Sequence, residues 1–600
     1  MGSSWRAHAL HIHAFSDDAI RIVLRPTRQY ALILSESHHP DVLRDATERD
    51  RLIDRLWVAI PGRPELERVV PYEHEDLVNG DVPLFTSNPS SADLETTHGS
   101  TVPGYFRRCG LQCALDRIAA LSERDLVRQR WIIEAALVAL VPWHHEALRL
   151  APTPADQPST TPSAPRGAMP SHDETIDVAR RIARRLGALA LRDGERVSWL
   201  GLTLVRDRDW VIQPVGTDVY SGTAGIALFL AYAAHVTGDA ETRTLARTVV
   251  SQIVRRIGAT LDAIDPVTGL PPGSLGVVSA LGGVVYSLSH IGALWADRSL
   301  IDAAHRIANV LERQIESDDQ LDIIGGAAGY IMALGALEHV DPRASTRRLI
   351  ALAAESLTSR ANRVESGLSW TTRLPSTRPL AGMSHGASGM SLALLTAGRT
   401  LACTRYMDAA SDAMRYERTL LDLTHDNWPD YRILDGRAPE GAPPIMWAWC
   451  HGAPGIGLAR LAALGLRGPN AEPELLDDLV RALGSTASHG FGTNDSLCHG
   501  DLGNLDLFAR ALEHGYRGEW ESVLATESAR LIERVGRGAW RCGVPGGVET
   551  PGLMTGLAGV GYGLLRLAAT SQVPSVLSFE PPRSAVAHAE RRERSNRVDR

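Results

Sequence analysis

The stretch WCHGAPGIGLARL, residues 449–461, opens an apolar helix on two glycines three residues apart and sets a Cys-His pair just ahead of the first. The glycine part is not unique to it. It returns as YSGTAGIALFL at Gly222, SALGGVVYSL at Ser279, GGAAGYIMAL at Gly326, SHGASGMSLALL at Gly386, LCHGDLGNLDLF at Gly500 and MTGLAGVGYGLL at Gly556. With Gly452 there are seven anchors, 47 to 66 residues apart. Each interval leaves room for one further helix, so the repeat unit is a helix pair. Glycines one helical turn apart remove Cβ atoms where chain segments crowd and leave N–H groups exposed at the helix start. Seven helix starts with one shared need converge on one centre, which favours a closed ring over an open solenoid. The expected fold is mainly α: an α/α toroid of seven helix pairs, about fourteen helices, with the glycine turns rimming a single cavity.

In such a ring the residue before each first glycine faces the cavity. Six of these are Ser221, Gly325, His385, His451, His499 and Thr555. Three are histidines, and Cys450 and Cys498 precede two of them. Taken singly, a buried Cys or His is usually a packed or hydrogen-bonded core residue. Together at equivalent rim positions they suit one Zn²⁺, and three protein ligands would leave a fourth position open, as catalytic zinc sites do.

Composition narrows the function. The 600 residues carry a net charge of -8, with 44% hydrophobic and 22% charged residues, the profile of a globular chain without a basic stripe for nucleic acid. No run approaches eighteen apolar residues and the N-terminus has no signal-peptide pattern, so the chain reads as cytoplasmic, without stable membrane insertion. Six Cys without regular short spacing make no disulfide framework. There is no Lys among the 62 basic residues, which excludes a P-loop, a kinase-type phosphate lysine and a Schiff base within this chain.

Residues 1–150 read as a small α+β segment, with AIRIVL and YALILS β-like and RDRLIDRLWVAI and QRWIIEAALVAL helical. Residues 151–172 are a Pro/Thr/Ser-rich linker, 173–572 the toroid, and 573–600 a disordered tail. Val178, Ile182, Leu186 and Leu189, then Leu245, Val249, Ile253 and Ile257, mark apolar faces of two of the expected helices.

WCHGAPGIGLARL, with LCHGDLG about 50 residues on and SHGASG upstream, resembles the lanthionine cyclases, the LanC-like family. DWVIQPVGTDVYSGTAGIALFLAYAAHVTGDA is similar to the cyclase half of the fused class II lanthipeptide synthetases, the LanM enzymes. The resemblance implies one zinc held by Cys450, Cys498 and His499, with His385 as acid/base and Asp322 as an active-site aspartate. The implied reaction adds Cys thiols of a ribosomally made precursor peptide to dehydroalanine or dehydrobutyrine, giving lanthionine or methyllanthionine. Met446 and His451 depart from the pattern, standing where stand-alone cyclases carry Arg and Tyr. Residues 1–150 resemble the C-terminal end of the LanM dehydratase domain in RIVLRPTRQYALIL, HPDVLRDATERDRLIDRLW and LVNGDVPLFTSNPSS. Arg21 and Thr27 match the pair that eliminates phosphate there. The kinase-like portion lies upstream in that family and is missing here, so no kinase activity is expected, and a separate dehydratase or kinase portion is a candidate partner. Two other readings stay open: a LanC-like thiol (glutathione) transferase acting on dehydrated residues, and a truncated or non-catalytic synthetase fragment that binds a precursor peptide.

Overall fold

The computed structural model describes residues 9–140, 169–205, 209–262, 275–433, 442–467 and 472–583. The chain divides into two compact units, residues 1–130 and 131–600.

The first unit is α+β. Helices α1 (Thr27–Ser37), α2 (Ala46–Ile53), α3 (Val70–Val78) and α4 (Gly110–Ala119) accompany a four-stranded antiparallel sheet ordered β1 (Ile20–Ile22), β2 (Phe85–Ser87), β3 (Leu94–Glu95), β4 (Thr101–Val102). YALILS is not a strand, as its sequence suggested, but lies inside α1. Pro26 sets the N-terminal boundary, and the residues buried from there are Tyr30, Ile33 and Ser37, a helical spacing of three and four. Helix α5 (Glu123–Ala139) crosses the boundary between the units, and most of the expected linker, up to residue 168, lies outside the described residues.

The second unit begins its ring with α6 (His172–Leu189), N-capped by Ser171, followed by the hairpins β5 (Leu191–Asp193)/β6 (Arg196–Ser198) and β7 (Leu200–Val205)/β8 (Asp209–Pro214). Helix pairs follow: α7 (Thr223–Thr237)/α8 (Ala240–Asp262), α9 (Leu281–Trp295)/α10 (Arg298–Leu311), α11 (Ala327–Val340)/α12 (Ala344–Ser359), α13 (Ala387–Leu401)/α14 (Thr404–Arg418), α15 (Ala453–Arg467)/α16 (Pro473–His489) and α17 (Asp501–Glu513)/α18 (Glu519–Gly536). A third hairpin, β9 (Asn362–Val364)/β10 (Gly367–Ser369), packs on α14. The last helix, α19 (Leu557–Ala568), pairs with α6. Each odd-numbered helix from α7 to α19 packs against the next, and α19 packs against α7, so seven inner helices close a ring with seven outer helices around them. Inner helices such as α7 are buried all round from Ala224 to Ala234. Outer ones bury one stripe, which on α6 and α8 includes the eight apolar positions singled out above.

The glycines have a common steric cause. A Cβ on the second glycine of each turn, Gly225, Gly283, Gly329, Gly389, Gly455, Gly503 or Gly559, would stand 1.8 to 2.5 Å from the carbonyl oxygen six residues earlier. At Gly389 it would meet Met383 O at 2.2 Å and Ile323 Cγ1 at 2.6 Å. Gly389→Ala is therefore expected to destabilise by at least about 1–3 kcal/mol through overpacking. Gly484, in the interior of α16 with open space around it, is the control. Gly484→Ala is expected to stabilise by about 0.5–1 kcal/mol. Denaturant melts of the two variants check the opposite signs.

Main-chain bonds tie the turns into a belt. Tyr220 N donates to Val278 O, Gly276 N to Gly325 O, Ser384 N to Cys450 O, Cys450 N to Cys498 O, Cys498 N to Met554 O, and Met554 N back to Tyr220 O. Among the described residues the third and fourth turns lack such a bond. They are joined instead by the side chains of Asp322 and His385.

The expected disordered tail is corrected at its start. Val573, Val576, Leu577 and Phe579 are buried, and the segment 573–583 packs against the ring; residues 584–600 lie outside the described residues. Among the described residues no helix is long and apolar enough to cross a membrane.

Candidate functional site

The glycine turns bring the expected residues into two groups. On adjoining turns ahead of α15 and α17, Cys450 N donates to Cys498 O at 3.3 Å, and the half-buried Cys450 thiol and the buried Cys498 thiol lie close enough to titrate as a pair. The pair loses its protons unequally. The contact with Cys498, with Arg432 near, lowers the Cys450 thiol, while the contact with Cys450 and burial raise the Cys498 thiol. Tyr220 OH donates to Cys498 Sγ at 3.2 Å. His499 lies against Gly543, where a Cβ would stand 2.8 Å from Nε2, and that nitrogen is buried without a hydrogen-bond partner among the described residues. Burial pushes the imidazole down to about 4 against the pull of the Gly543 backbone, so it is neutral at neutral pH.

In the second group, His385 Nδ1 lies 2.6 Å from Asp322 Oδ2. Asp322 is buried, and its Oδ1 accepts from Gly325 N at 2.9 Å, so the carboxylate is fixed by the turn and in turn orients the imidazole. The His385 ring is partly exposed and stacks on His451 with centroids 5.8 Å apart. His451 is buried; burial first and Arg432 second hold its pKa well below the usual histidine value. Its Nε2 is 3.3 Å from Ser384 Oγ, which itself donates to Cys450 O at 3.0 Å.

A zinc ion would need three donors. Among the described residues no group of three or more His, Cys, Asp or Glu side chains is gathered closely enough to hold a metal. The donor chemistry nevertheless fits: two thiols in mutual contact, and on the residue following Cys498 a neutral imidazole with an orphaned buried nitrogen. In the first unit, Arg21 Nη2 donates to Thr27 Oγ1 at 3.3 Å, which brings that sequence pair together as well.

Sequence reasoning passed over Tyr220, Asp430 and Arg432. Tyr220 had a signal, since it stands two residues before Gly222 as Cys450 and Cys498 stand before Gly452 and Gly500. Asp430 and Arg432 lie in the irregular segment between α14 and α15, outside the repeat.

A model of the lanthionine synthetase C-like protein family matches residues 213–578, and a domain of unknown function, DUF4135, a LanM-associated family, matches residues 3–88. The lacticin 481/lactococcin biosynthesis protein LcnDR2 of Lactococcus lactis subsp. lactis is 22% identical over 388 residues, 62% of this chain, and the chain spans 38% of that relative's length. Among solved structures, nisin cyclase is 15% identical with a TM-score of 0.45, covering 68% of this chain and 96% of its own. Unsaturated glucuronyl hydrolase from Bacillus sp. GL1 is 13% identical with a TM-score of 0.36, covering 61% and 97%. With its family model spanning the whole run of turns from Gly222 to Gly556, the chain belongs to the lanthionine synthetase C-like family.

Proposed function

We propose that this protein is a zinc-dependent lanthionine and methyllanthionine cyclase. It would close thioether rings in a ribosomally made precursor peptide by adding Cys thiols to dehydroalanine or dehydrobutyrine. The observation that carries the reading is the pairing of Cys450 with Cys498 on adjoining turns, Cys450 N donating to Cys498 O, beside the turn that carries an Asp322-oriented His385, in a chain of this family. The cytoplasm suits it, because six cysteines without a disulfide among them, and the substrate thiols too, stay reduced there.

Cys450, Cys498 and His499 would hold the zinc. A free thiol of pKa about 8.5 is only a few per cent thiolate at neutral pH, and a bound zinc supplies the remaining deprotonation. The other tasks fall to the chain's own side chains. Asp322 holds Nδ1 of His385 and fixes the tautomer, which leaves Nε2 to deliver a proton to the substrate Cα. The turns position thiol and alkene, and that proximity lowers the barrier without new chemistry.

The test is mass analysis after incubation with a pre-dehydrated peptide. Ring closure leaves the mass unchanged and removes a thiol that can be alkylated. A thiol transferase would add the mass of supplied glutathione instead, which would overturn the reading. A further expected outcome concerns the undehydrated peptide. With ATP and Mg²⁺ its mass should not change, since the chain has no Lys to place the phosphates; any phosphorylated or dehydrated product refutes this.

A further inference from the structure

Arg432 is a charged group beside the site that the mechanism above leaves unused. Its Nε lies 3.0 Å from both carboxylate oxygens of Asp430, and its Nη2 lies 2.7 Å from Oδ2. Asp430 is buried to 2% exposure, so the guanidinium plane is fixed by a two-point contact rather than free to swing. Nη1 has no hydrogen-bond partner among the described residues, and the side chain keeps 21% of its surface open. Nη2 also stands 3.8 Å from Sδ of Met446, four residues before Cys450. The other face of Asp430 looks toward His451, with Nδ1 at 3.9 Å, and His451 stacks on His385. Arg432 thus touches Met446, on the segment that leads into Cys450, and adjoins His385 by way of Asp430 and His451.

Burial would raise the Asp430 carboxyl, but His451 and Arg432 hold it well below the usual carboxylate range, and Arg432 is the contribution that persists when His451 is neutral. The pair therefore stays ionised, with one edge of the guanidinium satisfied and one edge unspent.

Resting on the cyclase reading, we infer that Arg432, held in place by Asp430, donates from its free edge to the carbonyl oxygen of the dehydro residue and stabilises the enolate formed there. When the thiolate sulfur bonds to Cβ, the Cα=Cβ π pair moves to the Cα–carbonyl bond and the negative charge arrives on that oxygen. The proton lost by the thiol is matched by the one delivered to Cα, which restores the neutral amide. A fixed cationic donor aimed where charge develops stabilises the transition state more than the ground state.

The experiment compares wild type, Arg432→Ala, Arg432→Lys and His385→Ala on a pre-dehydrated peptide, with zinc content and thermal melting of each. Arg432→Ala is expected to stay folded and keep its zinc, to melt lower because the buried Asp430 carboxylate loses its partner, and to lose about 10²- to 10³-fold in kcat with little change in KM. Added guanidinium ion should restore part of that rate in Arg432→Ala and none in His385→Ala. Arg432→Lys, which keeps the charge but not the fork, should fall between wild type and Arg432→Ala. Wild-type kcat in Arg432→Ala, a rise in KM alone, absence of guanidinium rescue, or loss of zinc or fold with the rate would each overturn the inference and leave the cyclase reading standing. A wild type that closes no ring overturns both.

Discussion

Cys498→Ala should leave the protein without bound zinc and without ring closure, the largest functional effect expected of any single substitution here. Cys498 is buried, its thiol touches Cys450, and its hydroxyl partner Tyr220 carries no charge to replace it. With one of three ligands removed, two donors cannot retain the ion at ordinary concentrations. His385→Ala should differ. Its nearest polar partner is Asp322 rather than the thiols, so zinc should stay while ring closure slows by about 10²- to 10⁴-fold, the worth of a general acid. Metal content by emission spectroscopy and alkylation of residual thiol, on the same two variants, read the two roles apart. If His385→Ala loses zinc as Cys498→Ala does, His385 is a ligand, and His451 becomes the next candidate for the acid.

The ring was legible because its turns need glycine for a reason that repeats. Wherever a carbonyl six residues back presses on the first helical turn, from Val219 against Gly225 to Leu553 against Gly559, only hydrogen fits, and the need prints itself seven times. Cys450, Cys498 and His385 stood out through the same register, being departures from it, whereas Asp322 came only with the family resemblance. Tyr220 occupies that register too, but tyrosine also serves as an ordinary core residue, so its identity alone did not mark it. Arg432 and Asp430 carry no such mark. Their segment folds by contacts distant in sequence, Asp430 N to Pro444 O and Ile433 N to Pro375 O, which no local pattern announces. YALILS misled for a different reason: its apolar residues suit either period, and the choice was made by the burial of Tyr30 and Ile33 on one helical face.

The C-terminal segment shows the same limit and supports the largest stability effect. VPSVLSFEPPR, residues 573–583, has the prolines and serines of a loop, and its carbonyls anchor it beside the side-chain contacts of Ser575 with Asp506, Glu580 with Arg510 and Arg583 with Glu513. Arg566 Nη1 donates to Val573 O, Tyr562 OH to Pro574 O, Trp449 Nε1 to Leu577 O and Tyr286 OH to Glu580 O, so α9, α19 and the turn carrying Cys450 all bind its carbonyls. Every residue, proline included, offers the same carbonyl, so the composition of the segment conceals the contacts. Deleting residues 573–600 exposes the faces that Val573, Val576, Leu577 and Phe579 cover, at about 1.5–3 kcal/mol for each side chain buried. It also leaves Trp449 and two tyrosines without acceptors, at about 1–3 kcal/mol for each that water does not reach. The truncated chain should therefore lose at least about 5 kcal/mol, measured by denaturant unfolding. Phe579→Ala, which keeps the chain but removes the ring that meets Trp449 at 6.1 Å, should lose about 3–5 kcal/mol by itself. Because Trp449 precedes Cys450, both variants should also weaken zinc retention as they soften that turn. A truncated chain that unfolds at the full-length denaturant midpoint and keeps its zinc would show that the segment only lies against the ring.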